Sequence, residues 1–107
     1  MTLDEFKQCD LRVGKVIAAE RVEGSEKLLK LQVNLGEPDP RQILSGIGKA
    51  YVPEGLVGRF VVIIANLEPR MMMGFESKGM LLAASGEDGK PVILTVEKKV
   101  KPGSSVT

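Results

Sequence analysis

The side chains able to do chemistry concentrate in one stretch, Asn66 to Gly79, where Asn66, Arg70, Glu76, Ser77 and Lys78 supply donors, acceptors and charge within 14 residues. Such a set suits recognition through hydrogen bonds and ion pairs. Catalysis finds less support in the chain. It contains no His for general acid–base work, and Cys9 therefore lacks the partner that would activate a thiol. The paired carboxylates, Asp4-Glu5 and Glu87-Asp88, fall in segments that read as exposed, with no pocket around them. A single Cys without His also leaves no zinc ligand set and no internal disulfide. No catalytic residue, metal or cofactor is expected.

Two apolar runs of strand length enclose the polar stretch, Phe60 to Ala65 before it and Met80 to Ala84 after it. Pro69 and Gly74 break regular structure between them, so Asn66 to Gly79 reads as a long loop held by two buried strands. Met71, Met72, Met73 and Phe75 read as apolar plugs for the end of a core.

The remaining elements can be read in order. Thr2 and Glu5 have capping-box spacing ahead of a short helix through Phe6 and Lys7. Leu11, Val13, Val16 and Ile17 form a strand, with Gly14 as the place for a bulge. Glu20 to Lys27 is turn-like. It leads to the clearest strand, in which Leu29, Leu31, Val33 and Leu35 alternate with Lys30, Gln32 and Asn34. Gly36 to Pro40 makes the turn into a strand over Arg41 to Ser45. Gly46-Ile47-Gly48-Lys49 lacks the glycine spacing and the strand-turn-helix setting of a phosphate loop. Lys49 to Val52 reads as one helical turn stopped by Pro53, and Gly86 to Gly89 turns into a last strand over Val92 to Val96. Lys98, Lys99 and Lys101, with Pro102 to Ser105, read as a solvated tail or as an RNA-facing edge.

Five or six short strands with regular turns and one short helix predict an all-β protein. The specific expectation is a five-stranded Greek-key barrel of the oligonucleotide-binding type, with a short N-terminal helix and extra C-terminal strands, forming one domain over residues 1–107. Ligands of such barrels lie on the second and third strands and on the loops after strands one and four. Here those loops are Glu20 to Lys27 and Asn66 to Gly79. A chain of 107 residues is long enough to fold without staples. No apolar run reaches the length of a membrane span, and the acidic start lacks the features of a signal peptide, so a cytoplasmic, non-membrane protein is expected. With 15 basic and 14 acidic residues the net charge is only +1, which requires any RNA site to arise by local clustering. One Tyr and three Phe are too few for a continuous base-stacking platform, so folded RNA is the better target.

Four blocks carry a resemblance. They are Asp10 to Gly14, Val22 to Leu28, Ser45-Gly46-Ile47, and Asn66-Leu67-x-Pro69-Arg70 with Gly74-x-x-Ser77-x-Gly79-Met80. In this order they resemble the tRNA-binding domain attached to methionyl-tRNA synthetases and found in free-standing dimeric tRNA-binding proteins. The resemblance implies a non-catalytic module that binds tRNA and assists aminoacylation, a homodimer built from surfaces outside the barrel, including the chain ends, and a partner in the catalytic region of methionyl-tRNA synthetase. It implies phosphate contacts from Lys27, Lys30, Arg70 and Lys78, with Ser25, Asn66, Ser77 and the backbone at Gly79 and Met80 positioning the RNA or supporting the loop. Met71 stands where the family often has a second basic residue, and Lys78 is the residue expected to supply that charge. The competing expectation is a peptide-binding, export-chaperone-like module whose groove is lined by Met71, Met72, Met73 and Met80.

Overall fold

The structure, a computed structural model, describes all 107 residues. It contains one four-residue helix, α1 (Leu3–Phe6), and nine strands: β1 (Leu11–Arg21), β2 (Leu29–Asn34), β3 (Arg41–Ser45), β4 (Phe60–Ile64), β5 (Arg70–Met72), β6 (Phe75–Ser77), β7 (Met80–Leu81), β8 (Ala83–Ser85) and β9 (Pro91–Ile93). Five of them form one antiparallel sheet in the order β3-β2-β1-β4-β7, curled into a nearly closed barrel. The architecture is the one expected.

Strand β1 organises the barrel by pairing with two neighbours. Leu11 to Lys15 run against β4, and Lys15 to Arg21 run against β2. An 11-residue strand can do this only by coiling, and the register slips between Val16 and Ala18, leaving Ile17 bulged outward. The bulge is therefore at Ile17 and not at Gly14. Gly14 has a different reason to lack a side chain, because a Cβ there would lie 2.4 Å from Cγ1 of Val33 and 2.9 Å from Cδ2 of Leu35. The interior crosses over it.

The alternation in β2 holds in full, with Leu29, Leu31 and Val33 inside and Lys30, Gln32 and Asn34 on the outer face. They join Val16, Leu35, Ile43, Ile47, Leu56, Val61, Ile63, Leu81 and others in one core. A second, smaller cluster of Val22, Leu28 and Leu44 lies to one side, covered by Met72 and Phe75. Thr2 caps α1 through the expected capping box.

Several expectations change. Glu20 and Arg21 belong to β1, because cross-strand pairing with β2 continues through Arg21 opposite Leu29. A hydrogen-bonded turn does close on the Ile47 carbonyl from Ala50 and Tyr51. Pro53, however, begins a 3₁₀ turn over Pro53–Gly55 where its missing N–H costs nothing. The run from Met80 to Ala84 is two short strands broken at Leu82, and the last strand ends at Ile93. Pro102 to Val106 is no solvated tail. Gly103 and Val106 donate to the carbonyls of Val13 and Leu11 at 2.7 and 2.8 Å, and Val13 donates to the Ser104 carbonyl at 2.8 Å. The C-terminal segment thus runs along the start of β1.

Candidate functional site

The stretch between β4 and β7 is not an open loop but the hairpin β5–β6. Arg70 opposes Ser77, Met71 opposes Glu76, and Met72 opposes Phe75. The two residues left over, Met73 and Gly74, have φ of +51° and +84°. A two-residue turn with both φ positive matches the right-handed twist of the strands. Met73 is the one non-glycine residue in the chain with positive φ.

Hydrogen bonds weld the base of this hairpin to the free edge of β3. The Ser77 hydroxyl accepts from the Leu44 N–H at 3.0 Å and donates to the Gly79 carbonyl at 3.1 Å. Lys78 N–H donates to the Gln42 carbonyl at 2.8 Å, and the Gln42 amide donates to the Glu76 carbonyl at 3.0 Å. Arg41 adds a clasp. Its guanidinium is held bidentately by Glu37 at 2.8 and 2.9 Å and donates to the carbonyls of Ala65 and Lys78. The Arg41 hydrogen bond is the main reason the Glu37 carboxyl titrates below its ordinary value. Together these bonds complete the barrel between β3 and β7.

A cleft of about 330 Å³ opens between the hairpin and the turn after β3. Leu44, Leu67, Met72, Met80 and Leu81 supply its apolar lining, and Arg70 and Gly46 also lie at its walls. Ser77 and Gly79 also line it. Gly79 has φ of +143°, and a Cβ there would lie 2.9 Å from the Ile64 carbonyl oxygen, so no other residue fits. At Gly46 a Cβ would meet the Lys27 side chain at 2.9 Å. Lys27, from the loop after β1, therefore lies across this glycine, which itself lines the cleft. That loop also meets the hairpin tip, since a Cβ on Gly24 would sit 3.6 Å from the Met73 methyl.

Of the expected site residues, Arg70, Ser77, Gly79 and Met80 thus converge on one cleft, with Lys27 beside it. Arg70 and Lys27 are exposed and form no ion pair. The others are engaged elsewhere. Lys30 pairs with Glu20 at 2.7 Å and packs over the Phe75 ring at 4.2 Å. Lys78 faces Glu76 at 3.6 Å. Ser25 accepts from the N–H groups of Lys27 and Leu28 at 3.3 and 3.1 Å, shaping its own loop. Asn66 accepts from Asp10 N–H at 3.0 Å and donates to the Gln8 carbonyl at 2.6 Å, tying the end of β4 to the segment before β1. Ser77 is only 4% exposed.

The methionines divide in a way that composition does not predict. Met72 covers the small cluster, but Met71, Met73 and Met80 are 63%, 55% and 46% exposed, so the plug reading fails for Met71 and Met73. Two residues were missed. Arg41 has no sequence signal, because a four-residue spacing from Glu37 favours an ion pair only on a helix and this segment is a turn into a strand. Arg21, which donates to the Gly48 carbonyl at 2.9 Å and so holds the turn after β3, has none.

Comparison with known proteins gives the family. Residues 11–105 match the family model described as "Putative tRNA binding domain". The chain is 53% identical over 106 residues to methionine–tRNA ligase of Methanocella arvoryzae and 54% over 103 residues to that of Methanothrix thermoacetophila. It aligns over 99% and 96% of its own length but spans only 15% of either ligase. Among solved structures it is similar to a methionyl-tRNA-synthetase-related protein from Pyrococcus horikoshii, with a TM-score of 0.92, 37% identity and coverage of 100% of this chain and 97% of that one. It is also similar to the chaperone CsaA of Bacillus anthracis, with a TM-score of 0.90, 29% identity and coverage of 100% and 98%.

Proposed function

Because the chain belongs to the tRNA-binding domain family, we propose that it is a non-catalytic, cytoplasmic module that binds folded tRNA and assists aminoacylation by methionyl-tRNA synthetase. The observation that carries this reading is Arg70, an unpaired cation held on the cleft by a hairpin welded to the barrel, with the unpaired Lys27 lying over Gly46 beside that cleft. A rigid element carrying free cations can hold phosphates at fixed spacing, and fixed spacing reads the shape of a folded RNA. Lys78 adds a third contact once phosphate displaces its exposed, weakly held Glu76 partner. Lys30 serves mainly to seat the hairpin through Phe75, while Ser25, Asn66, Ser77 and the Gly79-Met80 backbone hold the loops in place. The module pairs with a second copy, which doubles a basic surface that is small in one chain.

The test is a titration of folded tRNA against single-stranded RNA of equal length, at low and near-physiological salt. Folded tRNA is expected to bind more tightly, with a preference that survives added salt. Arg70→Ala is expected to weaken binding and to reduce the slope of log affinity against log salt by about 1. Equal, salt-erased binding of both RNAs would refute the proposal.

A second reading has its own support. The exposed Met71, Met73, Met80 and Leu67 give the hairpin an adaptable apolar surface, and one structural neighbour is a chaperone. Unfolded polypeptide that competes with tRNA for the chain would favour it.

A further inference from the structure

We infer that the cleft beside the hairpin takes a single unstacked nucleotide of the bound RNA, with the base inside and its flanking phosphates on Arg70 and Lys27. This rests on the tRNA-binding reading and adds an occupant to it. The cleft volume of about 330 Å³ lies at the small end of the range for small-molecule sites, roughly 300–1,000 Å³, which suits one nucleoside and excludes a helical segment. Its apolar side has no aromatic ring. The thioethers of Met72 and Met80 take that place, being polarizable and flexible enough to lie against the face of a base.

The rim carries the charge that such an occupant requires. The chain has five arginines. Arg12 is paired with Asp10, Arg41 is clasped by Glu37, Arg21 donates to the Gly48 carbonyl, and Arg59 lies over the Tyr51 ring. Only Arg70 has no partner, and it stands on the cleft wall. Lys27, also unpaired, lies over Gly46, one of the residues that line the cleft. One free cation on the wall of a partly apolar slot and a second beside it suit a base with its neighbouring phosphates. An apolar peptide segment would leave both unanswered. The N–H groups of Gly46 and Gly79 make no hydrogen bond within the protein, and the Glu68 carboxylate on the wall offers an acceptor for an exocyclic amino group.

The experiment is a titration of the full chain, labelled with ¹³C at the methionine methyls, with folded tRNA, alongside tRNA affinities for Met80→Asp and Arg70→Ala. Met80 is half exposed, so Asp there reaches solvent and the variant's fold is checked by its urea midpoint, and the labelled unmutated chain does not depend on it. The expected result is saturable movement of the Met72 and Met80 methyls with Met1 unmoved, and a loss of about tenfold or more for Met80→Asp, as when one stacked base is given up. If tRNA binds and Arg70→Ala weakens it while Met80→Asp binds as the unmutated chain does, tRNA binding stands and the nucleotide pocket is refuted. If the unmutated chain binds no tRNA, both fall. Movement of Met72 and Met80 with unfolded polypeptide, but not with tRNA, would also overturn the inference.

Discussion

Ser77 shows how a residue can sit in a candidate functional stretch with its hydroxyl already used within the protein. Its hydroxyl accepts from one backbone group and donates to another, and both belong to the seam that completes the barrel. Ser77→Ala would leave the buried Leu44 N–H without an acceptor, a loss of about 1–3 kcal/mol. The expected outcome is a lower urea midpoint with an unchanged slope, and unchanged tRNA affinity where both proteins are folded. An affinity loss without a stability loss would instead make Ser77 an RNA contact. Residue type was enough to single out Ser77 and Asn66, since polar side chains between apolar runs stand out in the sequence, whereas Ser25 came only with the family resemblance. Type does not say whether a polar group is already used inside the protein. Lys30 illustrates the limit. It is tied to Glu20 because β1 and β2 place the two directly opposite, and that register is invisible while Glu20 reads as part of a turn.

At the scale of elements, legibility followed periodicity. The alternation of β2 was plain because one of its faces is buried along its whole length. The hairpin β5–β6 was not, because each strand has three residues and its turn places Met73, not Asn or Asp, at positive φ. Its stability is imposed by neighbours: the β3 edge, the small apolar cluster, and the Arg41–Glu37 clasp. The clasp gives this seam a pH dependence. Glu37 titrates below its ordinary value in the folded protein, mainly through the Arg41 hydrogen bond, so the unfolded chain takes up the proton more readily. Its contribution is complete above the ordinary carboxylate value and is lost as pH falls through the lower folded value. Urea midpoints measured across acid pH are therefore expected to fall more steeply for the unmutated chain than for Glu37→Gln, with the gap closing at the acid end. Parallel curves would show that the clasp does not contribute.

For the molecule as a whole the question is how a net charge of +1 can hold a polyanion. One copy offers few unpaired cations near the cleft, and non-specific phosphate neutralisation by so balanced a chain is weak. Two copies related by a two-fold axis would present two clefts at a fixed distance, and the second contact would then be intramolecular. The surface best suited to such pairing lies away from the cleft, at the chain ends. There Leu3, Phe6, Leu11 and Val106 line an apolar groove of about 360 Å³, and Leu3 is 66% exposed on a helix that buries none of its residues. The C-terminal segment that runs along β1 supplies one wall of this groove, which is why its hydrogen bonds to Leu11 and Val13 matter beyond local order. Sedimentation velocity is expected to give a dimer for the unmutated chain and a monomer for Leu3→Glu. The monomer is expected to bind tRNA about a hundredfold more weakly, at the low end of what linking two sites achieves. A dimer that survives Leu3→Glu would move the interface elsewhere. An unmutated chain that sediments only as a monomer would leave Arg70, Lys27 and Lys78 of a single copy to account for all of the affinity, and the salt slope would then be limited to about three phosphates.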